Sequence, residues 1–421
     1  MSALLESLLG ERAAPAALAG VREAAIAALR ERGLPGPRDE AWKYTSLRAL
    51  EQRRYADGDC GARMRAIDVG FLPGPSAARL VFVNGIHRED LSEVGAVTGL
   101  DIERLGERPD ELAAILRSAP PVDAFGELNA ALALDGVRVR VAAGARIQAP
   151  VQIVHVGTPA DGDVAWSLRV QVELGDGAQL RLIEHHVGSA PNANLGSIVA
   201  AYRLGARARL DLIQLQDGAE GAGLFRRSDA VLGSDAIFDL HTVEVGAQLA
   251  RHDLVVALEG RGARLRSRGV FALRGRQHAD TRLAVTHAAR DTACDIAWRG
   301  VADQRSRGVF HGAITVAAGA DGADAQLSNK NLLLSAQAEI DTQPVLEIHA
   351  DEVKAAHGAT VGQLDERALF YLRSRGLPLD LARRMLVAAF CGAVLDDLEP
   401  ALRARVDALL AARLPQAEAT P

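Results

Sequence analysis

The feature that most constrains this 421-residue chain is a recurring glycine turn. From Val137 onward, strand-like runs of four to eight residues are punctuated by Gly144-Ala145, Gly177-Ala178, Gly205-Ala206, Gly233-Ser234 and Gly262-Ala263, with Gly322-Ala323 following after one unclear interval. Successive spacings of the first five are 33, 28, 28 and 29 residues. Gln179–Ile183, Arg209–Leu215, Ile237–Val245 and Arg264–Phe271 keep step with them, and RSRGVF occurs twice, at 266–271 and 305–310. A near-constant period in strand-rich sequence argues for a solenoid, because each repeat must stack on its neighbours to bury its apolar face. At about 3.3 Å per residue a period near 28 holds two strands and two bends per coil, which suits a parallel β-helix with a narrow core of Val, Leu, Ile and Ala. An antiparallel sandwich would turn every 8–12 residues or so and would need a second, unmarked bend in each interval.

Helical patterns flank this region. Leu4, Leu5, Leu8 and Leu9, then Val21, Ala24, Ala25, Ala28 and Leu29, recur at helical spacing before Gly33-Leu34-Pro35-Gly36-Pro37. Trp42 and Tyr44 in EAWKYTSL suggest a packed corner. Leu80–Val83 reads as a strand ended by Asn84-Gly85, while 101–118 and 124–134 read as helices. The chain is expected to turn through 351–358 and to become helical from Asp365. The resulting layout is a mostly helical region 1–135, a β-helix core 136–362 and a helical region 363–421.

Composition narrows the function. With 48% hydrophobic residues, 24% charged residues and a net charge of −6, the chain has neither a disordered profile nor a nucleic-acid binder's basic excess. Its N-terminus carries Glu6 and Glu11 and no basic run before its leucines, unlike a secretory signal, and no run approaches the roughly 18 apolar residues of a membrane span. Cys60, Cys294 and Cys391 are far apart and odd in number, so no disulfide framework is expected. A reduced cytoplasmic protein is the simplest expectation. No GxxxxGK[ST], GxSxG or HExxH pattern occurs, so ATP hydrolysis by a phosphate loop and the common hydrolase and zincin chemistries are not expected.

Imidazole is a common metal ligand. Most of the eleven histidines fall in or beside strands, where a half-exposed surface position is the default reading. His185 and His186 are neighbours and would face opposite ways in a strand. Cys391 sits in an apolar helical run and reads as an inert core residue. Cys294 and Cys60 have no close cysteine or histidine partner in sequence. His357, beside Gly358 at the junction with the helical tail, reads from the residues alone as a turn or capping residue.

Three words in order, SNKNLLLS, EIDTQPVLEIHADEVK and HGATVGQLDE, resemble the C-terminal core of the SufB/SufD family, the scaffold subunits of the SUF iron–sulfur cluster assembly system. EAWKYTSL is similar to the SufD branch rather than to SufB. The resemblance implies a right-handed parallel β-helix and a non-enzymatic scaffold. It further implies pairing with SufB, docking of the ATPase SufC on the helical tail, sulfur from a cysteine desulfurase, and transfer to acceptor apoproteins. ATP would sit only on SufC, a cluster would form transiently at the SufB interface, and a homodimer without SufB is compatible with the family. His357 corresponds to a histidine implicated in building the nascent cluster, so the resemblance makes it an iron ligand. The family word often has a cysteine two residues earlier, where this chain has Ala355. Two alternatives are a SufB-type scaffold, against which the three isolated cysteines count, and an exported β-helix carbohydrate-active enzyme, which would need clustered carboxylates.

Overall fold

A computed structural model describes residues 3–10, 14–56, 75–118 and 123–413; Cys60 lies outside them. The N-terminal part carries α1 (Ala3–Leu8), α2 (Ala19–Arg32), α3 (Arg48–Glu51), β1 (Ala78–Val83), β2 (Ile86–His87), β3 (Glu93–Val94), β4 (Leu100–Arg104), α4 (Pro109–Ser118) and α5 (Ala124–Leu132). The strand region then runs through β5 (Ala133–Val141), β6 (Val151–Gly157), β7 (Ala165–Leu174), β8 (Gln179–Gly188), β9 (Leu195–Leu204), β10 (Arg209–Asp217), β11 (Gly223–Leu232) and β12 (Ile237–Glu244). It continues with β13 (Leu249–Leu258), β14 (Arg264–Leu273), β15 (His278–His287), β16 (Ala293–Ala302), β17 (Arg307–Val316), β18 (Asp324–Leu333), β19 (Glu339–Ile348) and β20 (Lys354–Gly362). Three helices follow: α6 (Glu366–Ser374), α7 (Leu379–Gly392) and α8 (Pro400–Arg413).

Alternate strands build two sheets. β6, β8, β10, β12, β14, β16, β18 and β20 are parallel neighbours in one, and β5, β7, β9, β11, β13, β15, β17 and β19 in the other. The chain is therefore the parallel β-solenoid that the glycine period implies. Inward side chains of both sheets meet in one core running from Leu80 and Val137 to Leu327 and Ile340.

The bends repeat more strictly than the glycine pairs suggest. Left-handed backbone recurs at Gly144, Gly177, Arg207, Asp235, Gly262, Asp291 and Gly322. Each donates its N–H to a carbonyl of the next bend, at Asp176, Ala206, Ser234, Arg261, Arg290, Asp321 and Glu352. Gly205 and Gly233 thus sit two residues before the left-handed position, so the five pairs used to measure the period mix two sites within the bend.

Helices cover the outer faces. Trp42, Leu47, Leu50 and Leu128 pack on Ala165, Leu195, Phe225 and Leu249, which point out of the β7–β13 sheet. The EAWKYTSL corner is riveted to this face. The Arg251 guanidinium lies 3.9 Å from the Trp42 ring centre, Trp42 stacks on Phe125 at 5.1 Å, and Thr45 donates to Asp280 at 2.6 Å. On the opposite face Val387, Cys391, Leu395, Val406 and Leu410 bury Ile213, Leu215, Val243 and Val270.

Two expectations for the N-terminal part change. Residues 100–104 are a strand, because Leu100 and Ile102 alternate onto the solenoid core, and the helix begins only at Pro109. Residue 135 falls inside β5, so strand pairing runs through the 135–136 junction.

Coil-on-coil contact sets a sharp test. A Cβ on Gly260 would collide with the backbone of Ser234 and Gly233, whereas one on Gly319 meets nothing and pays only for its positive φ of 83°. Gly260→Ala should lose about 3 kcal/mol of stability and Gly319→Ala only about 1 kcal/mol, read from thermal unfolding.

Candidate partner interface at the open end

The two ends of the solenoid differ. At the N-terminal end β4 closes its sheet antiparallel to β5, and β1 closes the other with the short antiparallel strands β2 and β3. At the C-terminal end β19 and β20 are terminal strands of their sheets. Their residues are mostly half-buried or exposed, unlike the buried alternation of β17 and β18 just before them. Of the three C-terminal helices, α7 and α8 pack on the outer face against β16 and β14, and α6 packs on α7.

His357 lies on this last strand. Residues 354–362 are β-strand, not the turn expected for 351–358, because Lys354 to Gly362 pair in register with Asp324 to Leu332 of β18. His357 pairs with Leu327 and Ala355 with Ala325, both core-facing. His357 and Ala355 therefore share the inward face, as residues two apart in a strand must. With no further coil over it, His357 is exposed. A thiolate in place of Ala355 would stand beside the same imidazole. Among the described residues no group of three His, Cys, Asp or Glu includes His357 at metal-binding distance. His349 follows β19 and donates its N–H to Val316 at 2.8 Å.

A second exposed apolar surface lies on the helical tail. The Asp365 side chain caps α6 by accepting from the N–H of Arg367 at 2.8 Å. Leu369 is buried, while Phe370, 74% exposed, projects outward with Tyr371, and Met385 does so from α7.

The remaining candidates sort differently from expectation. His155, His185, His186, His241, His252 and His287 are buried, not half-exposed. His185 and His186 do diverge: His186 points into the core with His155, and His185 faces outward toward Arg405 of α8. Cys294 has a partner after all, since His287 Nε2 stands 3.2 Å from its sulfur across the bend between β15 and β16. Burial pushes the Cys294 and Cys391 thiols up to about 12, so neither is a ready thiolate. The interior also holds charge that a Val, Leu, Ile and Ala core would exclude: Glu184, Arg226 and Glu244 are all buried. Alternation in IEHH and FRRSD was the available signal, because it puts Glu184, His186, Arg226 and Ser228 on inward positions.

The buried histidines set the acid limit. Burial holds His278 and His287 near 4, against 6.5 in the unfolded chain. The unfolded chain therefore takes up protons first. Their contribution is fully present above about pH 6.5 and should be lost as pH falls toward 4, by about 1.4 kcal/mol per pH unit per histidine in urea titrations.

No described helix is long and apolar enough to cross a membrane. Residues 156–390 match the family model described as SUF system FeS cluster assembly, SufBD core domain. The chain is 30% identical to the iron–sulfur cluster assembly protein SufD of Escherichia coli over 388 residues, covering 91% of this chain and 90% of that one. It is 28% identical over 413 residues to a SufBD family protein of Synechocystis, covering 94% and 91%, and 31% identical over 401 residues to one of Mycobacterium tuberculosis, covering 92% and 91%.

Proposed function

The chain belongs to the SufBD core family of the SUF iron–sulfur cluster assembly system, and from that premise we propose that it is a non-catalytic, SufD-type scaffold subunit that pairs through its open end with a SufB-type subunit. The observation that carries this reading is the uncapped last coil. Solenoid ends require covering, and terminal strands offer unpaired backbone groups to any strand that can add to them. Ile348 and Val361 are exposed apolar residues on those strands. A second solenoid seated there would cover both sheets at once and enclose His357.

In that setting His357 would offer a lone pair to iron of the nascent cluster, which is cargo rather than a resident group. Ala355 supplies no thiolate, so the sulfur ligands would come from the partner. The exposed Phe370, Tyr371 and Met385 supply the kind of apolar surface an ATPase such as SufC would bury. The tail that carries them is tied to the solenoid by ion pairs, Arg181 to Glu399 at 2.8 Å and Arg413 to Asp217. Nucleotide-driven motion of the ATPase would thus reach the outer face of the solenoid. Sulfur would arrive from a cysteine desulfurase by way of the partner, and finished clusters would leave to acceptor apoproteins.

Co-expression with SufB and SufC from the same source tests the reading. Ile348→Arg with Val361→Arg should abolish co-purification with SufB while leaving the chain folded; retained pairing would remove the open end from the interface. Phe370→Ser with Tyr371→Ser should release SufC and keep SufB. His357→Ala should lower iron and sulfide in the intact complex several-fold, and unchanged content would leave the chemistry to the partner.

A further inference from the structure

Near the capped end, far along the solenoid from His357, the core holds donors that the interface does not use. His155 of β6 and His186 of β8 are register partners whose rings stack at 4.5 Å. Glu184 is two residues before His186 and on the same inward face. One ligand atom from each of the three lies within 4.8 Å of the other two. His155, Glu184 and His186 are 2%, 0% and 5% exposed.

His155 demands an explanation. Both its ring nitrogens are shut off from solvent without a hydrogen-bond partner, and so is Nδ1 of His186. Each such atom costs about 1–3 kcal/mol when left unsatisfied, and a fold that keeps them is expected to satisfy them with something.

One cation is already close. The Arg226 guanidinium lies 2.6 Å from Glu184 Oε2, donates to Tyr202 Oη at 2.7 Å and Ser228 Oγ at 3.1 Å, and reaches His186 Nε2 at 3.2 Å. With its amide oxygen turned inward, Gln214 also accepts from Arg226 at 2.8 and 3.0 Å. Arg226 could therefore give up His186 and remain well satisfied, and it does nothing for His155. Glu184, which accepts from Tyr202 at 2.7 Å on Oε1 and faces Arg226 on Oε2, keeps a further lone pair on each oxygen. Glu244 adds a second buried carboxylate to this interior, hydrogen-bonded by Thr281 at 2.6 Å.

We propose that His155, Glu184 and His186 form a buried site for one divalent first-row transition ion inside the solenoid. Two imidazoles and one carboxylate without thiolate suit borderline ions such as Zn²⁺ or Fe²⁺, not soft Cu⁺ or the all-oxygen preference of Ca²⁺ and Mg²⁺. The ion would tie β6 to β8 where the charged interior begins. Because the site is enclosed, it is filled as the chain folds. Nothing in this assignment depends on the open end or on partners.

Co²⁺ is the probe. The full chain, without partners, is produced in minimal medium supplemented with Co²⁺ and passed through gel filtration in EDTA. Bound cobalt is then counted by mass spectrometry and its visible spectrum recorded. About one cobalt per chain with a low-coordinate spectrum is expected for wild type and for His357→Ala, and at least tenfold less for His155→Gln and His186→Gln, each shown to be folded by circular dichroism. Equal cobalt in the folded His155→Gln variant overturns the proposal. A folded wild type with no cobalt also overturns it and leaves Arg226 as the cation this interior was built around. Should the histidine variants fail to fold, the wild-type spectrum decides: a six-coordinate, EDTA-removable signal counts against the site, and a retained low-coordinate signal supports it.

Discussion

Each coil of this protein borrows its hydrogen bonds and its dry side from the coil before it. Parallel strands pair only with strands a full turn away, and the bend residues donate their N–H groups to the next bend. A coil cannot close on itself, so the stack continues until something different covers it. At one end antiparallel strands do so. At the other, β19 and β20 remain uncovered among the described residues, and the side chain next in line on the core-facing column is His357. The proposed partner surface and the proposed role of His357 are in this sense one consequence of an unfinished stack.

The same dependence explains why glycine is spent where it is. Coils lie close enough that Gly233, Gly246 and Gly260 abut backbone of the neighbouring bend. Inside, Gly300 and Gly308 make room for the Phe271 ring, and Gly269 for Trp298. Aromatic bulk in one coil is matched by a missing side chain in the next, which keeps a narrow core filled without forcing its strands apart.

The outer faces are treated asymmetrically. Toward the N-terminus, Trp42 is held by aromatic stacking and the Arg251 cation, and buried hydrogen bonds complete the join. Toward the C-terminus an apolar patch is edged with polar contacts, among them a hydrogen bond between His241 and Asp397 at 3.1 Å and an ion pair between Arg266 and the same carboxylate. Partly exposed ion pairs contribute little net stability, so the tail's attachment rests on Val387, Leu395 and their neighbours, with the charges setting its register.

Taken alone, the sequence determined the solenoid, the flanking helices and the family. A near-constant period leaves few folds, helical spacing is local, and SNKNLLLS through HGATVGQLDE is a long, ordered match. It misread what depends on register. The glycine pairs were counted across two positions of the bend because Arg207, Asp235 and Asp291 adopt the left-handed conformation that glycine usually marks. His357 looked like a turn residue because Lys354 to Gly362 lacks an apolar alternation, and it lacks one because no coil lies beyond it. That His287 meets Cys294 across a bend, and that His155, Glu184, His186 and Arg226 share one interior, was decided only by stacking strands tens of residues apart. Composition and spacing describe one coil; which side chains stand together is a property of the stack.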